Sequence, residues 1–351
     1  MKDDHGQGFV IDRLTVDFTP SRLLDQLKRL RNKDHGVVRA LHELCLAIAP
    51  GKAVGLLGES GCGKSTLARQ IMGLLKERDP ESRITFEGQD LDKVLDTDEQ
   101  AFRNSVQMIF QHPDTFLNPK LMARDMVMEA FHIRGESKAD IQAGRFHEEL
   151  GKALDVLGLT WEDLEKTSDQ LSGGEKKRMS ILRVILAKPR YIIADEPFSG
   201  LDVSYRNRIL KQFEILKEAG VGFLLISHDF HVTKKFCDEI CVMYKGRIVH
   251  RYENPESGVP EVQHPYTQVL IVSNDYLARC HEALPEIMGK FKPEMGEKDW
   301  RTAGCPFEDR CFYSDNTELK DACRTKTPPE QRVMGSHVLR CHLFEAKEQQ
   351  P

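Results

Sequence analysis

Nine consecutive residues constrain this chain more than any other stretch. Gly58-Glu59-Ser60-Gly61-Cys62-Gly63-Lys64-Ser65-Thr66 follows directly on the apolar run Ala53–Leu57 and leads into Lys64–Leu75, which has helical periodicity. The string fits the pattern G-x-x-x-x-G-K-[ST]. Its glycines let the backbone curl until successive N–H groups point inward at phosphate oxygens, and the helix that follows adds the positive end of its dipole. Lys64 is then placed to bridge β- and γ-phosphates and Ser65 to ligate Mg²⁺. A short, wholly apolar strand before the loop asks for a sheet covered on both faces.

Other apolar runs fit that sheet. Buried strands are expected at Ser105–Phe110, Tyr191–Ala194 and Gly222–Ser227, with helical stretches between them, so the fold class is α/β with a mostly parallel sheet. Gly8–Phe18 and Val37–Ile48 carry strand patterns, and Ser21–Arg31 places Leu23, Leu24, Leu27 and Leu30 on one helical face. The basic side chains Arg22, Lys28, Arg29, Arg31 and Lys33 around it read as a solvated face, with a place near lipid headgroups as the other reading. Between about 112 and 172 the pattern turns helical and charge-rich, which predicts a helical subdomain inserted in the core. After about 255, prolines at 260, 265, 285 and 293 and a late group of cysteines mark a smaller C-terminal module. The expected division is therefore 1–255 and 256–351.

With 351 residues the chain can bury a full core without staples, and no apolar run approaches the 18 residues of a membrane span. A net charge of −5 gives no general electrostatic grip on nucleic acid. The polar, acidic opening MKDDHGQGF does not read as a secretory signal, and nine cysteines without one suit a reducing cytoplasm.

Two further strings complete a phosphate-handling set. Tyr191-Ile192-Ile193-Ala194-Asp195-Glu196 is an apolar strand ending in two carboxylates. Beside the glycine-rich loop, Asp195 is expected to hold Mg²⁺ and Glu196 to act as general base on an attacking water. Leu171-Ser172-Gly173-Gly174-Glu175 opens a helix with free amides and a hydroxyl, a second anion cradle. One nucleotide rarely needs two cradles from one chain, whereas two chains packed head to tail would supply one each.

In these strings the sequence resembles the ATP-binding cassette (ABC) family, whose signature is LSGGQ, with Glu175 here in place of Gln. The resemblance runs over about residues 8–250 and implies a P-loop NTPase core of the ABC type. It implies ATP contacts from Phe18, Gly58, Glu59, Ser60, Gly61, Cys62, Gly63, Lys64, Ser65, Thr66 and Gln111, with Ser65, Gln111 and Asp195 around Mg²⁺. Glu196, His228 and Lys64 become the catalytic set, His228 as the switch histidine in Ile226-Ser227-His228-Asp229. Ser172, Gly173, Gly174 and Glu175 would serve the partner's ATP, and Asp202, in Ser199-Gly200-Leu201-Asp202, would cross the dimer interface.

Finer strings narrow the resemblance. GESGCGKST, MIFQHPDTFLNP from Met108, HPYT from His264 and GCPF from Gly304 are similar to the ATPase subunits of dipeptide, oligopeptide and nickel importers. That implies ATP hydrolysis coupled to transport, a second ABC ATPase subunit in a heterodimer, two transmembrane permeases and an extracytoplasmic solute-binding protein. It also implies a peripheral place on the cytoplasmic face of the inner membrane. Two other readings stay open, a soluble non-transport ABC ATPase and a non-hydrolysing regulatory cassette; Glu196 and His228 argue against the second.

The tail reads Cys305-x5-Cys311-x11-Cys323-x17-Cys341. Thiolates suit zinc or an iron–sulfur cluster, and unligated thiols remain open. The resemblance implies a 4Fe–4S cluster on these four, with His337 and His342 as possible substitute ligands. Cys237 and Cys241 are expected to share one face as buried thiols. Met122, Met126 and Met128 suit either a groove for a partner helix or ordinary core.

Overall fold

The computed structural model describes residues 8–18, 38–115, 117–253, 263–278, 304–314, 317–333 and 337–345. The Ser21–Arg31 stretch and its basic face lie outside the described residues.

Two sheets organise the chain. The smaller is antiparallel, from β1 (Phe9–Phe18), β2 (Val38–Ile48), β4 (Arg83–Phe86) and β5 (Gln89–Asp90), in the order β2-β1-β4-β5. Glu87 and Gly88, both at positive φ, close the tight turn of the β4–β5 hairpin. The larger sheet takes in β3 (Ala53–Leu57), β6 (Val106–Ile109), β7 (Tyr191–Asp195), β8 (Gly222–Ser227), β9 (Glu239–Tyr244) and β10 (Arg247–Glu253). Two short late strands, β11 (Gln331–Val333) and β12 (His337–Leu339), extend it to the order β11-β12-β10-β9-β3-β8-β7-β6. The pairings among β6, β7, β8, β3 and β9 are parallel, as expected for the wholly buried strands β3, β7 and β8.

Strand alternation sends neighbouring side chains to opposite faces. Val54, Leu56, Ile193, Leu224, Ile226 and Cys241 share a core with β1, β2 and β4. There Phe9 meets Tyr191 edge to face at 5.4 Å, and Phe86 meets Phe102 at 5.2 Å. Ala53, Ile192, Ala194, Phe223, Leu225 and Val242 face a second core with the helices. Cys237 belongs to this second core and Cys241 to the first, so the two thiols do not share a face. Both are buried, and burial pushes both thiols up.

The P-loop helix runs over Lys64–Ile71 rather than to Leu75, because Met72 caps it and Gly73 turns to φ 64°. Between 112 and 172 the described residues form helices, among them Ala123–Ile133 and His147–Leu157, whose Val127, Phe131, Leu150, Leu154 and Leu157 pack on the second core. Met126 is buried in that core and Met128 packs against it, so ordinary packing accounts for both. Among the described residues no helix is long and apolar enough to cross a membrane.

The described parts of 256–351 do not build a core of their own. β12 pairs with β10, and Tyr266, Val269, Phe307, Cys305 and Cys311 join the helix-side core. His250 and His264 are sealed there. His250 Nδ1 meets Thr267 Oγ1 at 3.1 Å, and His264 Nδ1 accepts from the Tyr266 N–H. Burial pulls His250 down to about 2 and His264 to about 3. Both rings therefore stay neutral while the unfolded chain takes up protons below pH 6.5. Stability is full above that value and falls as the pH drops below it, by roughly 2 kcal/mol per histidine between pH 6.5 and 5. The thermal midpoint is expected to fall steeply from pH 7 to pH 5; a flat profile would refute the buried-histidine account.

Candidate functional site

Strand register sets the site. Leu57 pairs with Ser227 and Asp195 with Ile226, so the loop after β3, the residue after β7 and the residue after β8 emerge side by side. This is the carboxyl edge of the parallel strands, where open α/β sheets hold ligands. A cleft of about 550 Å³ opens there, lined by Phe18, by Gly58 and residues 60–66, and by Gln111, Asp195, Glu196 and His228.

The loop is tightly wound. Gly63 sits at φ 112°, and a Cβ there would lie 2.4 Å from the carbonyl oxygen of Ala40. Only glycine fits both the conformation and the space. Lys64 arches back so that Nζ donates to the carbonyls of Gly58 and Glu59, each at 2.8 Å. The ammonium is thereby poised above the loop, and phosphate oxygens could replace those carbonyls. The Cys62 thiol is buried, which pushes it up, and it lies 3.8 Å from Lys64 Nζ.

Ser65 Oγ donates to Asp195 Oδ2 at 2.8 Å across the cleft floor. Burial raises Asp195, offset in part by that hydrogen bond. A hydroxyl and a carboxylate in contact form a hard-oxygen set of the kind Mg²⁺ takes alongside substrate phosphates. These two residues therefore fit the ion that the sequence implies.

Glu196 is 8 % exposed and sits at φ 48°, a conformation uncommon for a side-chain-bearing residue. Its N–H donates to Ile226 O at 2.9 Å, which ties the strained residue to β8. Both carboxylate oxygens lie 2.9 Å from His228 Nδ1. That hydrogen bond, ahead of the opposing effect of burial, raises His228. The carboxylate is thus aimed into the cleft and oriented by an imidazole, an arrangement suited to taking a proton from water.

Ser172 caps the helix Gly173–Ala187. Its hydroxyl accepts from the Glu175 N–H at 3.3 Å, and the Glu175 carboxylate accepts from the Ser172 N–H at 2.7 Å. The Glu in place of Gln thus closes a reciprocal cap, and the bond from Ser172 lowers its carboxyl. Ser172, Gly173, Gly174, Glu175 and Asp202 do not line the cleft; Ser172, Gly173 and Asp202 are exposed.

Lys177, on the same helix, is a residue that motif reading passes over. Its Nζ donates to the carbonyls of Phe110 and Gln111 at 2.9 and 3.1 Å, and burial pulls it down to about 8. It ties the Gly173–Ala187 helix to the residue that follows β6 into the cleft. Nothing in a lone lysine of a charged helix signals this.

The four tail cysteines come into one neighbourhood. Burial first, and then the neighbouring thiols, push Cys305 up to about 12 and Cys311 up to about 11, and push Cys341 up as well. The Cys305 N–H donates to Cys323 O at 2.7 Å. Even so, among the described residues no group of three or more His, Cys, Asp or Glu could hold a metal ion. His342 Nε2 lies 2.8 Å from Lys326 O, and the His337 ring stacks on Tyr252, so both histidines are engaged elsewhere.

Comparisons with known proteins agree with this fold. The family model for ABC transporters matches residues 41–199. A putative oligopeptide transport ATP-binding protein of Bacillus subtilis is 33 % identical over 319 residues, covering 89 % of this chain and 91 % of that one. The oligopeptide transport ATP-binding protein of Lactococcus lactis is 37 % identical over 235 residues, covering 67 % and 72 %. Among solved structures, a dimeric ATP-binding cassette in a post-hydrolysis state bound to ADP and Pi superposes with a TM-score of 0.59. It is 22 % identical and covers 70 % of this chain and 99 % of that one.

Proposed function

Because this chain belongs to the ABC transporter family of ATPases, we propose that it is the ATP-hydrolysing subunit of an importer for peptides. The observation that carries the reading is the single cleft in which Lys64, the Ser65–Asp195 pair and the Glu196–His228 pair face one another. Relatives named for oligopeptide transport, matched over most of their length, support the substrate class.

In this reading the loop amides and Lys64 bind the phosphates, and Ser65, Asp195 and Gln111 would hold Mg²⁺. The ion, when bound, would neutralise phosphate charge. Glu196 takes the proton of the attacking water, and His228 holds that carboxylate in place and reaches the γ-phosphate. Phe18, at the cleft rim, offers a flat apolar face for the base. Ser172, Gly173, Gly174 and Glu175 serve the nucleotide of a second ABC subunit, with Asp202 at the same interface; the exposure of that helix start supports this. Two permeases and a solute-binding protein complete the transporter, which places the chain on the cytoplasmic face of the membrane. The 4Fe–4S cluster implied by the sequence is not carried into the mechanism, because the thiols as arranged form no metal-holding group.

Affinity purification of the tagged chain from detergent-solubilised native membranes tests the proposal. Two permeases and a second ABC subunit are expected to co-purify. Recovery from the soluble fraction alone would remove the transport role.

A further inference from the structure

We propose that Arg310 is a positioning residue for ATP, clamping Glu59 of the phosphate-binding loop so that the C-terminal segment sets nucleotide affinity. The proposal rests on reading 58–66 as the ATP cradle.

Every polar group of Glu59 is engaged. Its carbonyl accepts from Lys64 Nζ at 2.8 Å, and its N–H donates to the Tyr266 hydroxyl at 2.9 Å. Its carboxylate accepts two bonds from Arg310, at 2.7 and 2.9 Å. Tyr266 and Arg310 lie more than 200 residues downstream, yet both are buried against the helix-side core. The guanidinium also lies over the rings of Tyr244 and Phe307, 5.9 Å from each centroid. A planar fork, paired at both terminal nitrogens and lying over two rings, is held far more firmly than a surface ion pair.

Two effects on ATP follow. Glu59 is the first residue of the curl after Gly58, so fixing it from both its N–H and its side chain fixes where the loop amides begin to turn. It also carries a negative charge at the edge of a cradle built for a triphosphate. Arg310 neutralises that charge where an unpaired carboxylate would repel the phosphates. Neither effect touches the hydrolytic pair Glu196–His228, so the influence falls on binding rather than on the chemical step.

Titration of the purified full chain with MgATP, together with steady-state ATPase assays, tests this. Arg310→Gln is expected to raise both Kd and KM by about tenfold, the size of one charge-assisted contact, with kcat within about twofold. Arg310→Lys, which keeps the charge and loses the fork, is expected to lose about threefold. Glu59→Gln alone is expected to weaken MgATP binding as well, and the double variant Glu59→Gln, Arg310→Gln should lose no more than about threefold beyond Arg310→Gln, because the clamp is already broken, whereas a general packing defect would add to it. Parental affinity in Arg310→Gln, or losses from the two substitutions that simply add, would overturn the clamp. A parent chain that binds no MgATP would instead overturn the cradle reading, and the clamp with it.

Discussion

Replacing Glu196 by Gln is expected to cut ATP turnover by a factor on the order of 10² to 10³ while MgATP still binds, the scale of a lost general base. The amide keeps the size of the side chain but cannot accept the water's proton. Backbone geometry should survive, since the Glu196 N–H remains bonded to Ile226 O and φ stays positive. The His228 contact changes with the charge. In the parent, His228 is raised by its hydrogen bond to Glu196. That contact therefore stabilises the fold fully below His228's ordinary value of 6.5, and fades as the pH climbs through the raised one. The variant should lose this pH dependence along with its turnover. Phosphate release measured beside nucleotide binding decides the matter, and near-normal hydrolysis would sink the base assignment.

Lys64→Ala is expected to abolish useful ATP binding. A single charge-assisted hydrogen bond is worth about 1.5–3 kcal/mol, a factor of roughly ten to more than a hundred in affinity, and Lys64 is placed to make more than one. The variant also leaves the Gly58 and Glu59 carbonyls without the ammonium that now joins them. The loop would then lose part of its own curl as well as its cation. Retained nucleotide affinity, read by the same MgATP titration, would refute the phosphate role of this lysine.

Much of the cleft was legible because its residues sit in short strings whose chemistry depends on spacing. The glycine loop, Asp195-Glu196 and His228 each follow an apolar strand, and the strands were visible as unbroken hydrophobic runs. Amphipathic pieces were harder. β4 and β5 are four and two residues long, and only the Glu87-Gly88 turn between them marks a hairpin. β10 mixes polar with apolar residues after the turn at Lys245-Gly246, so it does not stand out from the loops around it, whereas β9 is a buried run after Glu239 that motif reading passed over. β11 and β12 are three residues each, too short for any periodicity to register. Tertiary partners were invisible for a different reason. Lys177 and Arg310 act through carbonyls and a carboxylate that are distant in sequence, and a single chain's pattern holds no trace of such pairs. The same limit led Cys237 and Cys241 to be placed on one face: a helix end and a strand interior four residues apart do not share a period.

The junction of β12 with β10 bears on how this protein can be cut. A fragment ending near residue 255 would keep every residue of the nucleotide cleft, yet it would leave β10 with a bare row of amides and carbonyls where His250 and Arg251 now meet Leu339 and Val338. It would also uncover the apolar surface under Tyr266 and Phe307. An open strand edge beside a stripped hydrophobic patch is a template for self-association. β12 and the segments around Tyr266 and Phe307 thus act as a guard on the flank of the sheet, and a minimal catalytic fragment should be expected to clump before it can be assayed.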